Sequence, residues 1–388
     1  MEKKKQIRLA IVSDAMLPWN IGGKEARYQQ IIPRLRDSGL DVTVYTMHWW
    51  KAETSSKEIT LDGVRYIAIC PLLSLYRGDR RSVFQAFVFA VTCLRLMGAR
   101  MDAIEADQVP LFPLFTLFVI SRLRRIPLMV TWHEYWGKAY WVNYLGVMGS
   151  VAATLEWLSA RTPNVIFAVS PETQQRLRRI GIGESRVVLS ENAVDIDGVL
   201  AVEPHDAEID ILSVGRLIDH KRVDLTIEAL ACTPGLCSAT LTIVGEGPEK
   251  ANLERLSRKL GVDGRTNFVG ELRTHNEVWS FMKKAKVLSA PSEREGFGLA
   301  VAESLVAGTP VVTVSAEHNE ARKLIRDREN GSITAPGDPF ALGQELDFWL
   351  REHPNSNISS EFLAGNEFFG WQKVVDTYIE KLEESGRK

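Results

Sequence analysis

Twice along this chain, short runs of β-branched and aliphatic residues alternate with longer segments of helical periodicity. The second series starts afresh after a polar break. In the first series, 7–13, 41–46, 128–131 and 165–169 read as strands. A helix is expected over 24–38. Another opens at Ser170-Pro171, an N-cap followed by proline at the first helical position, and runs to Arg179. In the second series, 210–214, 239–244, 266–269, 286–290 and 310–314 read as strands. Helices over 223–231, 248–260, 276–284 and 299–306 separate them. Such alternation builds parallel sheets from βαβ units. With 388 residues the chain has room for two of them. The expected fold class is therefore α/β, two doubly wound Rossmann-like domains. The polar stretch 197–208 reads as the linker between them, and a last helix follows from Trp371.

Other classes fall away. Apolar residues make up 45% and charged residues 25%, which excludes a disordered, collagenous or disulfide-scaffold chain. The four cysteines, Cys70, Cys93, Cys232 and Cys237, contain no CxxC pair and fit no common zinc or redox spacing. The longest apolar run, 109–120, holds Pro110 and Pro113 and falls short of the roughly 20 residues a spanning helix needs. It reads as a core helix or as an interfacial segment, with Arg122, Arg124 and Arg125 following. The basic 1–5 segment precedes an apolar stretch too short for a signal peptide, so a cytoplasmic chain is expected. The net charge of −2 gives no nucleic-acid footprint. It is nonetheless a sum of opposites: 25 basic against 19 acidic residues in 1–200, and 22 against 30 in 201–388.

Ligands of doubly wound sheets bind outside the carboxyl ends of the strands, so the chemistry is sought in the loops there. After the first strand, Gly22-Gly23 precede a helix whose amides and dipole could face an anion, or they form a turn that needs no ligand. The segment is not GxGxxG, which argues against a standard dinucleotide site. After the first strand of the second series stand Gly215, Arg216 and Lys221. A guanidinium and an ammonium five positions apart suit a diphosphate, or they belong to a solvated basic loop. The Gly245-Glu246-Gly247 turn either lines the site or merely connects. The most informative loop runs Pro291-Ser292-Glu293-Arg294-Glu295-Gly296-Phe297-Gly298-Leu299 into a helix bearing Glu303. The amides at Phe297, Gly298 and Leu299 then lie at a helix N-terminus, where phosphate binds readily. Glu295 and Glu303 suit neutral hydroxyls of a sugar or ribose better than phosphate, which would repel them. Glu303 could equally lie on a polar helix face. In the first series His133 directly follows a strand, among Trp132, Tyr135 and Trp136. It can exchange protons or bond hydroxyls, and the aromatics suit sugar rings or packing.

Taken in order, these residues resemble family 4 of the retaining glycosyltransferases, whose fold is GT-B. The E-x7-E pair Glu295/Glu303 carries the resemblance most specifically. Gly22-Gly23, His133, Asn192-Ala193-Val194-Asp195, Gly215-Arg216, Lys221 and Gly245-Glu246-Gly247 follow the family's order. The resemblance implies two domains across a deep cleft: 1–197 on the acceptor side, 198–209 as linker, and 210–370 holding the nucleotide-sugar donor. A terminal helix, 371–388, would cross back onto the first domain. Catalytic roles would fall to His133, Glu295, Arg216 and Lys221. Donor contacts would fall to Gly22, Gly23, Gly215, Gly245, Glu246, Phe297, Gly298, Leu299 and Glu303. Three departures are visible: Ala193 where the family has glycine, Glu134 where it has aspartate, and Ser315-Ala316 where a glycine pair often precedes the counterpart of Glu320.

The implied activity is retaining transfer from a nucleotide-diphosphate sugar, with UDP, GDP and ADP not distinguished. No cofactor and no metal are expected, since Arg216 and Lys221 would hold the diphosphate. Asp195-x-Asp197 matches a metal motif only by spelling. Alternatives are a nucleotide-sugar epimerase on the same plan and a non-catalytic sugar- or lipid-binding protein. The basic first half carries Arg77, Arg80 and Arg81, seven of the ten tryptophans (Trp19 and Trp136 among them) and the 109–120 run. That half suggests a lipid-linked or otherwise anionic acceptor and a peripheral contact with an anionic membrane, on its inner face, or merely solvated arginines. No nucleic-acid partner is expected.

Overall fold

A computed structural model describes residues 6–20, 22–77, 80–352, 358–360 and 370–386. The chain divides into two compact units, 1–192 with 371–388, and 193–370.

The first unit is built on an eight-stranded sheet. In chain order its strands are β1 (Arg8–Val12), β2 (Asp41–Met47), β3 (Glu58–Leu61), β4 (Val64–Cys70), β5 (Ala103–Asp107), β6 (Leu128–Trp132), β7 (Val165–Ala168) and β8 (Val187–Leu189). Across the sheet they run β8-β7-β6-β5-β1-β2-β4-β3, and only β3 is antiparallel to its neighbour. Helices α1 (Gly23–Asp37), α2 (Val83–Thr92), α3 (Phe112–Arg124), α4 (Gly137–Leu145), α5 (Gly149–Ser159) and α6 (Pro171–Arg179) connect them. Strands β5 and β6 are buried along their whole length, as continuous parallel strands covered on both faces should be.

The second unit carries a six-stranded parallel sheet of β9 (Ile209–Val214), β10 (Leu241–Val244), β11 (Thr266–Gly270), β12 (Ala285–Ala290), β13 (Val311–Val314) and β14 (Gly331–Thr334). Its order is β11-β10-β9-β12-β13-β14. Its helices are α7 (Ile196–Ala201), α8 (Val223–Cys232), α9 (Lys250–Lys259), α10 (His275–Lys284), α11 (Leu299–Val306) and α12 (Pro339–Glu352). The last helix, α13 (Trp371–Gly386), belongs to the first unit. There Tyr378 stacks on Phe167 of β7 at 3.8 Å between ring centroids.

Two expectations change. The stretch 198–209 is not a bare linker: α7 lies in it, its first turn capped by the Asp195 side chain, which accepts from the Gly198 amide at 3.3 Å. Val194 and Val199 are buried in the second unit's core, so the chain passes to that unit after Asn192, before the expected boundary at 197. The apolar 109–120 run forms α3, with Leu114, Leu117 and Ile120 in the core and Val119 and Leu123 exposed. Strands β3, β4, β5, β8 and β14 were not read from the sequence. The poorly patterned stretch 352–366 lies largely outside the described residues.

Candidate functional site

Each sheet has one position where connections leave in opposite directions, and loops there splay apart to leave a crevice. In the second unit that position is β9, flanked by β10 and β12. The loops after β9 and β12 carry Gly215–Lys221 and Pro291–Glu295, and Lys221 Nζ and the Glu295 carboxylate form an ion pair there. Ser292 Oγ donates to the same Glu295 oxygen at 2.9 Å. The Glu293 amide donates to the His220 carbonyl at 2.9 Å, tying the loops by backbone as well. Residues 294–295 also pair in parallel with 318–319, bringing the segment before Glu320 to the same edge. Lys323 holds Glu320 at 2.7 Å. Arg216 is exposed on the β9 loop.

The glycines here follow from close backbone approach. A Cβ on Gly245, at φ +143°, would lie 1.9 Å from the Gly215 carbonyl oxygen, and one on Gly247 would lie 2.2 Å from that of Leu217. The loops after β9 and β10 thus interlock, with Leu217 N donating to Glu246 O at 2.9 Å. Glu246 itself pairs with Lys250 at 2.5 Å. Gly298, at φ +88°, caps α11 with no side chain on its first amides. Those amides have no intrahelical acceptor and form an anion-ready end. The Phe297 side chain turns into the core, leaving its backbone to the loop. Glu303 is half-buried on α11. Burial pushes its carboxyl up to about 7, and Asp195 adds to the rise.

In the first unit the equivalent position is β1, between β2 and β5. Asp14 follows β1, and Asp107 ends β5; both are buried. Lys24, beside Gly22 and Gly23 at the start of α1, donates to Asp14 at 2.7 Å and to the Val109 carbonyl at 3.0 Å. Arg81 approaches Asp14 at 3.5 Å, and Gln85 donates to it at 3.2 Å. His133, after β6, has its Nε2 2.9 Å from Asp107 Oδ2, and the Val109 amide donates to Asp107 Oδ1 at 2.8 Å. Burial alone would raise Asp107, but Lys24 and His133 outweigh it and hold its carboxyl below the usual range. Since that carboxylate can only accept, His133 carries a proton on Nε2. Burial raises Glu25 and opposes the charge on Lys24, whose acidic neighbours nonetheless raise it. Gly22, extended at φ −177°, caps α1 without a side-chain bond.

Most of the residues singled out from sequence thus fall into two clusters, each at the switch point of its own sheet. Gly22, Gly23 and His133 meet through Lys24 and Asp107. Gly215, Arg216, Lys221, Gly245, Glu246 and Glu295 meet through loop backbone. Arg81 joins the first cluster as a partner of Asp14. Arg77 is exposed, and Arg80 lies on the short strand 80–81. Trp19 packs on Trp50 at 5.4 Å, and Trp136 on Trp141 at 4.8 Å. Sequence reasoning missed Asp14, Lys24, Asp107 and Ser292. Asp107 closes strand β5, which the sequence did not announce because Glu105 also interrupts its apolar run.

Two Rossmann-like units, each gathering charged loops at its switch point, make this a GT-B glycosyltransferase scaffold. Two family descriptions match in succession: Glycosyltransferase Family 4 over 21–197 and Glycosyl transferases group 1 over 201–361. The chain belongs to these glycosyltransferases of group 1 and family 4. It is 27% identical over 231 residues to the lipopolysaccharide core biosynthesis glycosyltransferase LpsE of Rhizobium meliloti, covering 57% of this chain and 65% of that protein. It is 41% identical over 177 residues to a GDP-mannose-dependent phosphatidylinositol dimannoside mannosyltransferase of Mycobacterium tuberculosis, 45% of this chain and 44% of that one. The match thus spans less than two thirds of either relative. Among solved structures, Anabaena HepE in complex with UDP-glucose superposes with a TM-score of 0.74 over 98% of this chain and all of that one, at 17% identity, a likeness of fold.

Proposed function

We propose that this glycosyltransferase moves a hexose from a nucleotide-diphosphate sugar to a lipid-linked or glycoconjugate acceptor, with retention of configuration and without a metal ion. The observation that carries this reading is the Lys221–Glu295 pair at the switch point of the second sheet, beside Arg216. Breaking the bond from anomeric carbon to phosphate builds negative charge on the diphosphate and positive charge on the sugar. Lys221 and Arg216, with the uncapped α11 amides, are the groups suited to the diphosphate. Each well-placed donor of this kind contributes roughly 3–4 kcal/mol to such a step. Glu295, released from Lys221 by the incoming phosphate, accepts from a sugar hydroxyl, and Glu303 from the ribose. A ribose hydroxyl favours the ionised form of Glu303, so donor affinity rises with pH toward about 7. His133, its Nε2–H held by Asp107, is the first unit's group suited to a sugar hydroxyl. The relatives' GDP-mannose and the neighbour's UDP-glucose fit the class of donor and leave the base to experiment.

The test is kinetic. Lys221→Ala and Glu295→Gln are each expected to cut sugar transfer more than about tenfold while the melting temperature stays near that of the parent. Parental rates in both variants would remove these residues from the reaction. A donor-only NMR time course separates transfer from epimerisation, since an epimerase turns over donor with no acceptor present.

A further inference from the structure

The layer formed by α2, the following 3-10 turn (Cys93–Gly98) and α3 presents an apolar surface that the fold does not cover. One face of α2 is buried through Gln85, Ala86, Phe89 and Ala90. The other exposes Val83, Phe84, Phe87 and Val91, with Phe84 69% exposed. A helix apolar on all sides belongs in a core or in lipid, yet half of this one faces solvent. The surface continues over Leu94 and Met97 of the turn, and Val119 and Leu123 of α3, the last 68% exposed. Phe87 meets Phe112 edge to face at 6.5 Å, so the two helices share one patch. Single exposed apolar residues need no explanation, but a contiguous patch of this kind marks a contact.

Charge identifies the occupant. The segments 82–101 and 108–133 contain no aspartate or glutamate and carry Arg95, Arg100, Arg122, Arg124 and Arg125. Arg124 is committed to the Leu96 carbonyl at 3.0 Å and Arg95 to that of Ile69, whereas Arg100, Arg122 and Arg125 are exposed. Arg122 and Arg161 lie close enough to Arg186 that their like charges, after burial, lower its pKa. A guanidinium cluster beside apolar side chains matches a surface that is anionic at the headgroups and apolar beneath. A second copy of the same face would bring arginines against arginines. We propose that the α2–α3 face docks on an anionic lipid bilayer, with Phe84, Phe87 and Leu123 entering the headgroup–acyl boundary and Arg100, Arg122 and Arg125 against the lipid phosphates. Among the described residues no helix is long and apolar enough to cross a membrane, so the contact is peripheral.

Cosedimentation of the full chain with vesicles tests this. Vesicles of phosphatidylcholine with one-third phosphatidylglycerol are expected to bind the protein at low salt. Pure phosphatidylcholine should bind at least tenfold less, and 0.5 M salt should release most of the bound protein. Arg122→Gln with Arg125→Gln should weaken partitioning by about fivefold per arginine. Phe84→Ser with Phe87→Ser should weaken it at least tenfold while leaving melting temperature and nucleotide affinity unchanged, since neither residue supports the core. Failure of the parent to bind anionic vesicles, or unchanged binding of both variants, overturns the proposal. So does a parental dimer in light scattering that the phenylalanine variant turns monomeric, because a second copy would then be the occupant. Donor binding, read separately by thermal shift, keeps the outcome distinct from that of the transfer reaction.

Discussion

A single buried side chain makes the stability of the first unit depend on pH. Glu105 lies inside β5, fully buried, and accepts from Tyr28 at 2.7 Å and Thr131 at 2.6 Å. Burial outweighs those bonds and pushes its carboxyl up to about 7 from 4.5. The unfolded chain ionises this group near 4.5, whereas the folded chain keeps it neutral to about 7. Its contribution to stability is therefore full below about 4.5 and is lost as pH rises through 7. Glu105→Gln keeps the shape and removes the titration. Denaturant titrations from pH 4.5 to 7 should show a flatter profile in the variant than in the parent, by on the order of 3 kcal/mol across the window. A profile parallel to the parent's would show that Glu105 does not titrate there. Spacing and residue type exposed Lys221, Glu295 and His133, because a cation, a carboxylate and an imidazole in strand-end loops are conspicuous. They did not expose Asp14 and Asp107, which gain significance only from the Lys24 and His133 atoms beside them.

Among the elements, α13 best illustrates packing across long sequence separation. Trp371, Val374, Val375, Tyr378 and Leu382 form a buried stripe at helical spacing. Tyr378 also bridges to Thr131, its hydroxyl 2.5 Å from Oγ1. Most of this helix's stability comes from that stripe, since isolated helices of its length are marginal in water. Tyr378→Ala removes the stacked ring from Phe167 and leaves a cavity; it should cost about 3–5 kcal/mol, read as a lower urea midpoint with unchanged slope. A loss under about 1 kcal/mol would mean that α13 is held by its other contacts. Helix periodicity made this element readable. Strands β3 and β8 were not readable, because short edge strands offer too few residues for a period to show. In β5, Glu105 and Asp107 break the apolar run that would have announced a buried strand.

At the scale of the whole molecule, each unit has its own hydrophobic core and its own charged switch point. If the donor's diphosphate sits at the second unit's switch point, a saturating nucleoside diphosphate should slow amide exchange in 215–221 and 291–299. At 100 times its Kd it should stabilise the protein by about 2.7 kcal/mol. Running UDP, GDP and ADP side by side in thermal shift identifies the base. Protection confined to the loops after β1 and β5 would place the diphosphate in the first unit instead. The opposed charge of the two halves also acquires a location, since the acid-free segments of the basic half coincide with the exposed α2–α3 face.

Sequence alone determined the two α/β series, the α11 loop with its glutamate pair, and the family to which they point. These are local properties: strand and helix periods, glycines where a chain must turn, and charges placed next to strand ends. Tertiary structure decided which loops share a switch point. It decided that 193–208 joins the second core, that Asp14 and Asp107 stand behind Lys24 and His133, and that half of an apolar helix is left in solvent. Each of these depends on strand order and on contacts between residues tens to hundreds of positions apart. Periodicity carries no information about them, because burial is set by what the rest of the chain brings alongside.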